Sequence, residues 1–181
     1  MKPRSWGPFV WYLIHSIAYN IDDDEYFTTH KKNYINLMNS LKFIIPCPIC
    51  RGHYSKHFNK SRISDCNTKD EFIEWTVKIH NLTNKKLKKK EYKLENFNNN
   101  YKDINKKKIL KALDILAMNF QFKYPVNKYK MFFESLRVVF PIKEMRIHYQ
   151  NAMKENRIKV NNFNTLVRWY INLGRLISKM M

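Results

Sequence analysis

Two cysteines with two residues between them, in Pro46-Cys47-Pro48-Ile49-Cys50, carry the strongest chemical signal of this chain. Such a pair can close a small disulfide loop that opens and re-forms during thiol exchange. It can equally supply half of a tetrahedral zinc site, or serve only as a structural pair. Pro48 suits the first position of a helix, which puts Cys47 at the cap and Cys50 in the first turn. There the free N–H groups and the helix dipole favour thiolate over thiol. For the metal alternative, Cys47, Cys50, His53 and Cys66 would complete a ligand set, with His57 close by. A thioredoxin-type arrangement needs the pair between a strand and a helix, and no strand pattern flanks it.

Two further clusters could serve a large planar ligand. His80-Asn81, with Asn84 one helical turn on, places hydrogen-bonding groups beside an apolar stripe of Phe72, Trp75, Ile79 and Leu82. Lys86, Lys88 and Lys89 follow and can meet phosphates as point charges. Near the start, Trp11 and His15 share a helix face, with Trp6 upstream. Flat aromatic and imidazole faces of this kind can sandwich an adenine ring. Each signal also has a plain reading. A helical histidine is commonly a satisfied core or surface residue, an aromatic stripe is commonly core, and lysines commonly face solvent.

Helices must position these groups. Ser5 can cap a first helix running to about Asn20, with Pro8 in its first turn and Trp11, Leu13, Ile14 and Ala18 at helical spacing. Ile21 to Glu25 reads as an acidic connection, and a second helix is expected over about 28–43 on Ile35, Met38 and Leu41. Pro46 ends it, and a third runs from Pro48 to about Asn59. Thr68-Lys69-Asp70-Glu71 is a capping box that opens a fourth. From Lys85 to Lys108, ten lysines, three acids and a run of asparagines indicate a surface segment, partly loop, and a domain boundary. Beyond it, helices are expected over about 104–121, 128–139, 142–155 and 162–179, punctuated by Pro125 and Pro141. Val167, Tyr170, Leu173 and Ile177 form an apolar stripe on the last.

Composition agrees with an all-α class. Three glycines in 181 residues are few for a sheet protein with tight turns, and 44% hydrophobic residues suffice for a core. A net charge of +19 attracts acidic partners, yet Lys and Asn are spread along the chain and the aromatic motifs of nucleic-acid modules are absent. No specific nucleic-acid binding is therefore expected. Met-Lys-Pro-Arg-Ser-Trp lacks the apolar run of a signal peptide, and no stretch approaches the roughly 18 apolar residues of a membrane span. Three cysteines do not make a disulfide scaffold. The expectation is a cytoplasmic chain with no membrane span.

Taken together, these segments resemble the FAD-dependent sulfhydryl oxidases of the Erv/ALR family. The resemblance rests on Trp6-Gly7-Pro8-Phe9-Val10-Trp11-Tyr12-Leu13-Ile14-His15, on Cys47-Pro48-Ile49-Cys50-Arg51-Gly52-His53, and on Trp75-Thr76-Val77-Lys78-Ile79-His80-Asn81-Leu82-Thr83-Asn84-Lys85-Lys86-Leu87-Lys88-Lys89, with Tyr92 after it. Order and spacing agree over residues 5–94. Two departures stand out. Val77 and Leu94 occupy the positions of a structural disulfide that cellular members carry, so packing is expected to replace that bond. The second, shuttling cysteine pair of many members is missing, leaving only Cys66. Members from large DNA viruses share both the start near Trp-Gly-Pro and the absence of long tails, which implies a viral source.

The resemblance implies an FAD-binding helical bundle over residues 1–100, four helices plus a short fifth, followed by an all-helical appendage over 101–181 of unknown role. It implies Cys47 and Cys50 as the catalytic pair. It implies cofactor contacts at Trp6, Gly7, Trp11, His15, Tyr19, His53, His80, Asn81, Asn84, Leu87, Lys89 and Tyr92, with Lys89 on the phosphates and no metal. Cys47, at the exposed cap, would be the sulfur that a substrate attacks, leaving Cys50 beside the flavin. Implied partners are dithiol proteins or a thioredoxin-like relay, molecular oxygen reduced to hydrogen peroxide, and a second copy of the chain. The place of action would be a host cytoplasm or a virion. The alternative is a zinc-stabilised basic helical binding module.

Overall fold

The computed structural model describes residues 2–118, 126–158 and 161–180, the side chains of 177–180 excepted, and all regular structure among them is helical. Helix α1 (Pro3–Tyr19) begins two residues before the expected cap. Pro3, with its fixed φ and no N–H to leave unpaired, sets the start, and the Ser5 hydroxyl instead donates to the Lys2 carbonyl at 2.9 Å. Pro8 consequently lies inside the helix rather than in its first turn. Helix α2 (Asp24–Ile44) also starts earlier than its apolar pattern. Asp23 accepts a hydrogen bond from the Tyr26 amide at 2.7 Å, and Asp24 and Glu25 sit in the first turn where the helix dipole favours negative charge. The acids read as a connection are thus the signal that opens α2.

Helix α3 (Pro48–Lys60) has Pro48 in its first turn and Cys47 as its cap, as the sequence predicts. Helix α4 (Lys69–Lys86) opens on the capping box, with Thr68 Oγ1 accepting from the Glu71 amide and Glu71 Oε2 accepting from the Thr68 amide, both at 3.2 Å. It closes on two reciprocal bonds, Lys89 N–H to Asn84 O at 2.9 Å and Lys88 N–H to Lys85 O at 3.3 Å. That pattern needs a left-handed residue at Lys88, whose φ is 52°. A side chain there costs about 1 kcal/mol that glycine would not incur. Lys88→Gly is therefore expected to stabilise the protein by roughly that amount. A rise of a few degrees in the thermal midpoint checks it, and an unchanged or lower midpoint refutes it.

α1 and α4 run antiparallel: Lys69 Nζ donates to Ile21 O at 2.8 Å at one end, and Trp11 stacks on His80 towards the other. Phe27 of α2 stacks on Phe72 of α4 at 5.3 Å, and the Trp75 indole donates to Ser61 O beyond α3 at 2.9 Å. Residues 12–18 of α1 are buried all round, which marks α1 as the central helix. Part of its cover comes from the lysine-rich segment. A single 3-10 turn (Leu94–Asn96) leads into a short α5 (Phe97–Tyr101), whose Phe97 and Tyr101 are buried beside Tyr12 and His15. The surface reading of 85–108 holds for its lysines and fails for this aromatic pair, four residues apart on one face.

Four longer helices follow: α6 (Lys106–Met118), α7 (Val126–Val139), α8 (Lys143–Glu155) and α9 (Phe163–Met180). The expected end of α6 at 119–121, Pro125 and the Ile177 side chain lie outside the described residues. α6 packs along α1, where the Asn105 amide donates to the Tyr12 hydroxyl at 2.8 Å. α7 packs antiparallel along α2, with Lys128 over the Phe43 ring at one end and the Tyr26 hydroxyl donating to Val138 O at 2.8 Å at the other. Arg146 of α8 is buried, pairs with Asp22 at 2.9 Å and donates to Phe140 O at 3.0 Å. Trp169 of α9 donates to Asn156 O at 2.8 Å.

Candidate active site

The N-terminus of α1, the C-terminus of α4 and the turn between α2 and α3 meet at one end of the bundle and enclose a cleft of about 440 Å³. Its size is that of a ligand site. Cys50 forms part of the wall and is bonded to Cys47, their Cα atoms 5.1 Å apart. The local sequence explains the placement. Cys47 caps α3 through its sulfur, which accepts from the Cys50 amide at 3.2 Å, and the Arg51 amide closes the first turn on Cys47 O at 2.9 Å. The Arg51 guanidinium turns back, buried, to donate to Ile45 O at 2.7 Å and so fixes the turn before the pair. One expectation fails here. Cys47 is at the cap, but it is only 8% exposed, because Ile44, Ile45 and Pro46 are buried around it. The exposed members of the loop are Pro48 and Ile49, the latter at 72%.

Seven of the expected cofactor residues stand in the cleft wall: Trp6, Gly7, Trp11, His80, Asn84, Leu87 and Lys89. There, imidazoles and rings from three segments are layered. Trp11 lies flat on His80 with centroids 4.2 Å apart and planes 7° apart. Tyr92 stacks near His80 at 5.6 Å and near His15 at 5.4 Å. His15 is fully buried. Its Nε2 meets His80 Nδ1 at 2.8 Å and its Nδ1 meets Thr76 Oγ1 at 3.0 Å.

Proton counting assigns the tautomers. The single Thr76 hydroxyl proton is donated to Ile73 O at 2.7 Å. Thr76 Oγ1 must then accept from His15 Nδ1–H, so His15 Nε2 carries a lone pair and accepts from His80 Nδ1–H. The chain of three bonds needs His15 neutral. Burial pulls His15 well below its ordinary range, with the neighbouring His80 adding to the effect. Burial also lowers His80 to about 4, with the Lys89 charge second.

Asn81 is close to this cluster but faces a different task. Its amide donates to Tyr92 O at 2.9 Å and accepts from Tyr92 N–H at 2.8 Å, tying the segment after the lysines to α4. That tie spans the region where Val77 and Leu94 were expected to pack. Val77 is buried, whereas Leu94 is 44% exposed on a groove along the outer side of α4. Asn84 is buried and donates to Lys90 O at 3.2 Å. Tyr19 and His53 are not in the wall: Tyr19 lies under Lys69 Nζ and against Phe97, and His53 is one turn along α3 from Cys50. The wall also contains Tyr12, Ile14, Ile45, Tyr54, Thr83 and Tyr101, which sequence reasoning passed over. Tyr54 lies four residues after Cys50 and Thr83 three after His80, so helical spacing alone offered both. No local signal offered Tyr101.

The zinc alternative is not assembled. Among the described residues no group of three or more His, Cys, Asp or Glu could hold a metal ion. The Cys66 thiol is buried and points to the Glu71 carbonyl at 3.6 Å. Burial, with Glu71 beside it, pushes the thiol up to about 11, so it is protonated and unreactive at neutral pH.

The profile of the Erv1/Alr family matches residues 8–102, the stretch that holds the cysteine pair and all of the named cleft wall but Trp6 and Gly7. The chain belongs to the Erv1/Alr family. It is 33% identical over 88 residues to the probable FAD-linked sulfhydryl oxidase of Acanthamoeba polyphaga mimivirus, covering 46% of this chain and 59% of the relative. It is 32% identical over 111 residues to an FAD-linked sulfhydryl oxidase of African swine fever virus, covering 60% of this chain and 87% of the relative. An Arabidopsis thaliana FAD-linked sulfhydryl oxidase is 27% identical over 97 residues, 49% of this chain and 50% of that protein. The chain thus spans little more than half the length of the mimivirus relative. No solved structure matches it. Within this Erv1/Alr chain two features fit an FAD molecule in the cleft. The Trp6 indole N–H is buried there without a hydrogen-bond partner among the described residues. A Cβ on Gly7 would meet nothing within 4 Å, so that part of the wall is left open for a ligand. Among the described residues no helix is long and apolar enough to cross a membrane.

Proposed function

We propose that this chain is an FAD-dependent thiol oxidase that makes disulfide bonds in dithiol proteins, or in a thioredoxin-like relay, through Cys47 and Cys50. The observation that carries the reading is that Cys50 of the Cys47–Cys50 disulfide stands in the same cleft wall as Trp6, Trp11 and His80. Trp11, backed on one face by the neutral His80, offers its ring to the adenine, and Lys89 offers charge to the phosphates. His15, Thr76 and Asn81 are positioning residues: the first two hold His80, and Asn81 holds Tyr92.

In the reaction a substrate thiolate attacks Cys47, the Cys47–Cys50 bond breaks, and Cys50 leaves as a thiolate facing the cleft. The second substrate thiol then attacks the mixed disulfide and releases Cys47. One substrate disulfide has formed, one enzyme disulfide has opened, and two electrons and two protons have moved to the enzyme. The Cys50 N–H and the α3 dipole stabilise the Cys47 thiolate. FAD, when bound, supplies the two-electron acceptor that lets the pair re-form, with oxygen as final acceptor and hydrogen peroxide as product. Residues 1–100 hold the cysteine pair and all of the cleft wall but Tyr101, and α6 and α7 pack on α1 and α2. A homodimer acting in a host cytoplasm or in a virion completes the reading; the viral relatives support the viral setting alone.

The visible absorption of the purified chain tests the proposal. A bound-flavin spectrum is expected. A protein that stays colourless after incubation with FAD overturns it. Cys66→Ser is expected to leave turnover of dithiothreitol within about twofold of wild type, since a buried, protonated thiol takes no part in exchange. Loss of turnover in that variant would place Cys66 in the reaction.

A further inference from the structure

The redox disulfide lies in a sector of the chain that has no carboxylates. No Asp or Glu occurs at 1–21, 26–64 or 75–90, the segments that form α1, most of α2, all of α3 and the cleft end of α4. Most acids of α1 to α4 are gathered at the other end, where Asp24 accepts from the Lys69 amide at 2.7 Å and Asp65, Asp70 and Glu71 surround the start of α4; the acid nearest the cleft lysines is Glu91, which shares a groove with Lys85 and Lys89 and accepts from the Asn81 amide at 3.4 Å. Around the cleft mouth Arg4, Lys85, Lys86, Lys88, Lys89 and Lys90 are exposed, and none is ion-paired among the described residues. Lys56 and Lys60 of α3 are exposed too, and with Lys86 of α4 they add their charge around His57, the buried imidazole two turns beyond Cys50. In the middle of this field Ile49 projects, 72% exposed, from between the two cysteines.

An apolar knob beside the reacting sulfur, ringed by unpaired positive charge, is a recognition surface with a definite complement. Apolar contact at the centre supplies affinity. The surrounding field raises the encounter rate of negatively charged partners and repels positive ones. FAD phosphates would neutralise two charges at most, so most of the field remains. We propose that the preferred substrates are acidic proteins, in which carboxylates flank the dithiol and an apolar side chain covers Ile49. This rests on the thiol-oxidase reading and adds the class of its substrate.

The test compares kcat/KM of the flavin-loaded full chain on two synthetic dithiol peptides, alike except for Asp and Glu or Lys flanks, and on dithiothreitol. At low salt the acidic peptide is expected to be oxidised at least about tenfold more efficiently than the basic one. The ratio should collapse towards unity at about 300 mM salt, where the Debye length is a few ångströms, while dithiothreitol turnover stays level. The double variant Lys56→Glu/Lys60→Glu should reduce the ratio several-fold and leave dithiothreitol turnover intact. Lys143→Glu/Lys154→Glu, on exposed positions of α8, changes the net charge equally and should not. Equal efficiency on both peptides, or an equal loss in the α8 variant, overturns the docking surface while the oxidase reading stands. A flavin-loaded protein that does not oxidise dithiothreitol overturns the oxidase reading itself.

Discussion

Cys50→Ser is expected to lower dithiol oxidation by on the order of 10³-fold or more while the flavin stays bound. The serine hydroxyl can fill the space of the thiol in the cleft wall, so Trp11, His80 and Lys89, the wall residues we propose for the cofactor, keep their places. What disappears is the sulfur that must leave when a substrate attacks Cys47 and that must face the flavin afterwards. Because the two cysteines act as one unit, Cys47→Ser and the double variant should lose about as much as Cys50→Ser alone. Steady-state turnover of dithiothreitol, beside the flavin absorbance of the same sample, measures both halves of the claim. Wild-type turnover in Cys50→Ser would sink the assignment of the pair. Lost absorbance would show instead that Cys50 holds the cofactor.

The second large effect is a loss of stability in mild acid, traced to the buried imidazole pair. His15 and His80 both have folded-state pKa values below the ordinary 6.5, so the unfolded chain binds their protons more readily. Their stabilisation is complete above about pH 6.5 and is lost as the pH falls through the folded value, about 4 for His80. For His80 alone the difference between 6.5 and about 4 corresponds to about 3 kcal/mol, of which most is spent by pH 4.5. His15 acts in the same direction. Protonation has this effect because a charged His15 would have to donate from Nε2 into a nitrogen that already donates to it. Urea unfolding at pH 7 and pH 4.5 measures the change. The carboxylates titrate over the same range, so the deciding comparison is His80→Gln, which should flatten the dependence by about 2 kcal/mol. A variant with the wild-type slope would show that the pair is not the acid-sensitive element.

Much of the site was legible because its signals are local. The capping box at Thr68, the proline at the start of α3 and the cysteine at its cap each need only a few adjacent residues, and each appears where the sequence predicts. The three motifs in register carried the family, and seven of their residues line one cleft. Local signals were misjudged where two competed. Ser5 is a good cap, yet Pro3 starts the helix first, and Asp23 to Glu25 looked like a linker because their capping role depends on an apolar pattern that begins later.

Sequence by itself thus determined the class of the fold, the placement of the redox pair at a helix N-terminus and the set of rings available to a cofactor. Only the tertiary structure decided how those groups are used. The His15–His80 bond joins residues 65 apart, and it makes two unremarkable helical histidines into a neutral, buried pair. Tyr101 reaches the cleft because α5 folds back onto α1. Asn81 grips the backbone of Tyr92 because the segment after the lysines is brought beside it. Cys47 is covered and Ile49 bare because Ile44 to Pro46 pack inward at the end of α2. The physical reason is common to all four. Caps and periodicity are set by contacts within a turn or two of helix, whereas burial, protonation and exposure depend on which distant segment covers a given face.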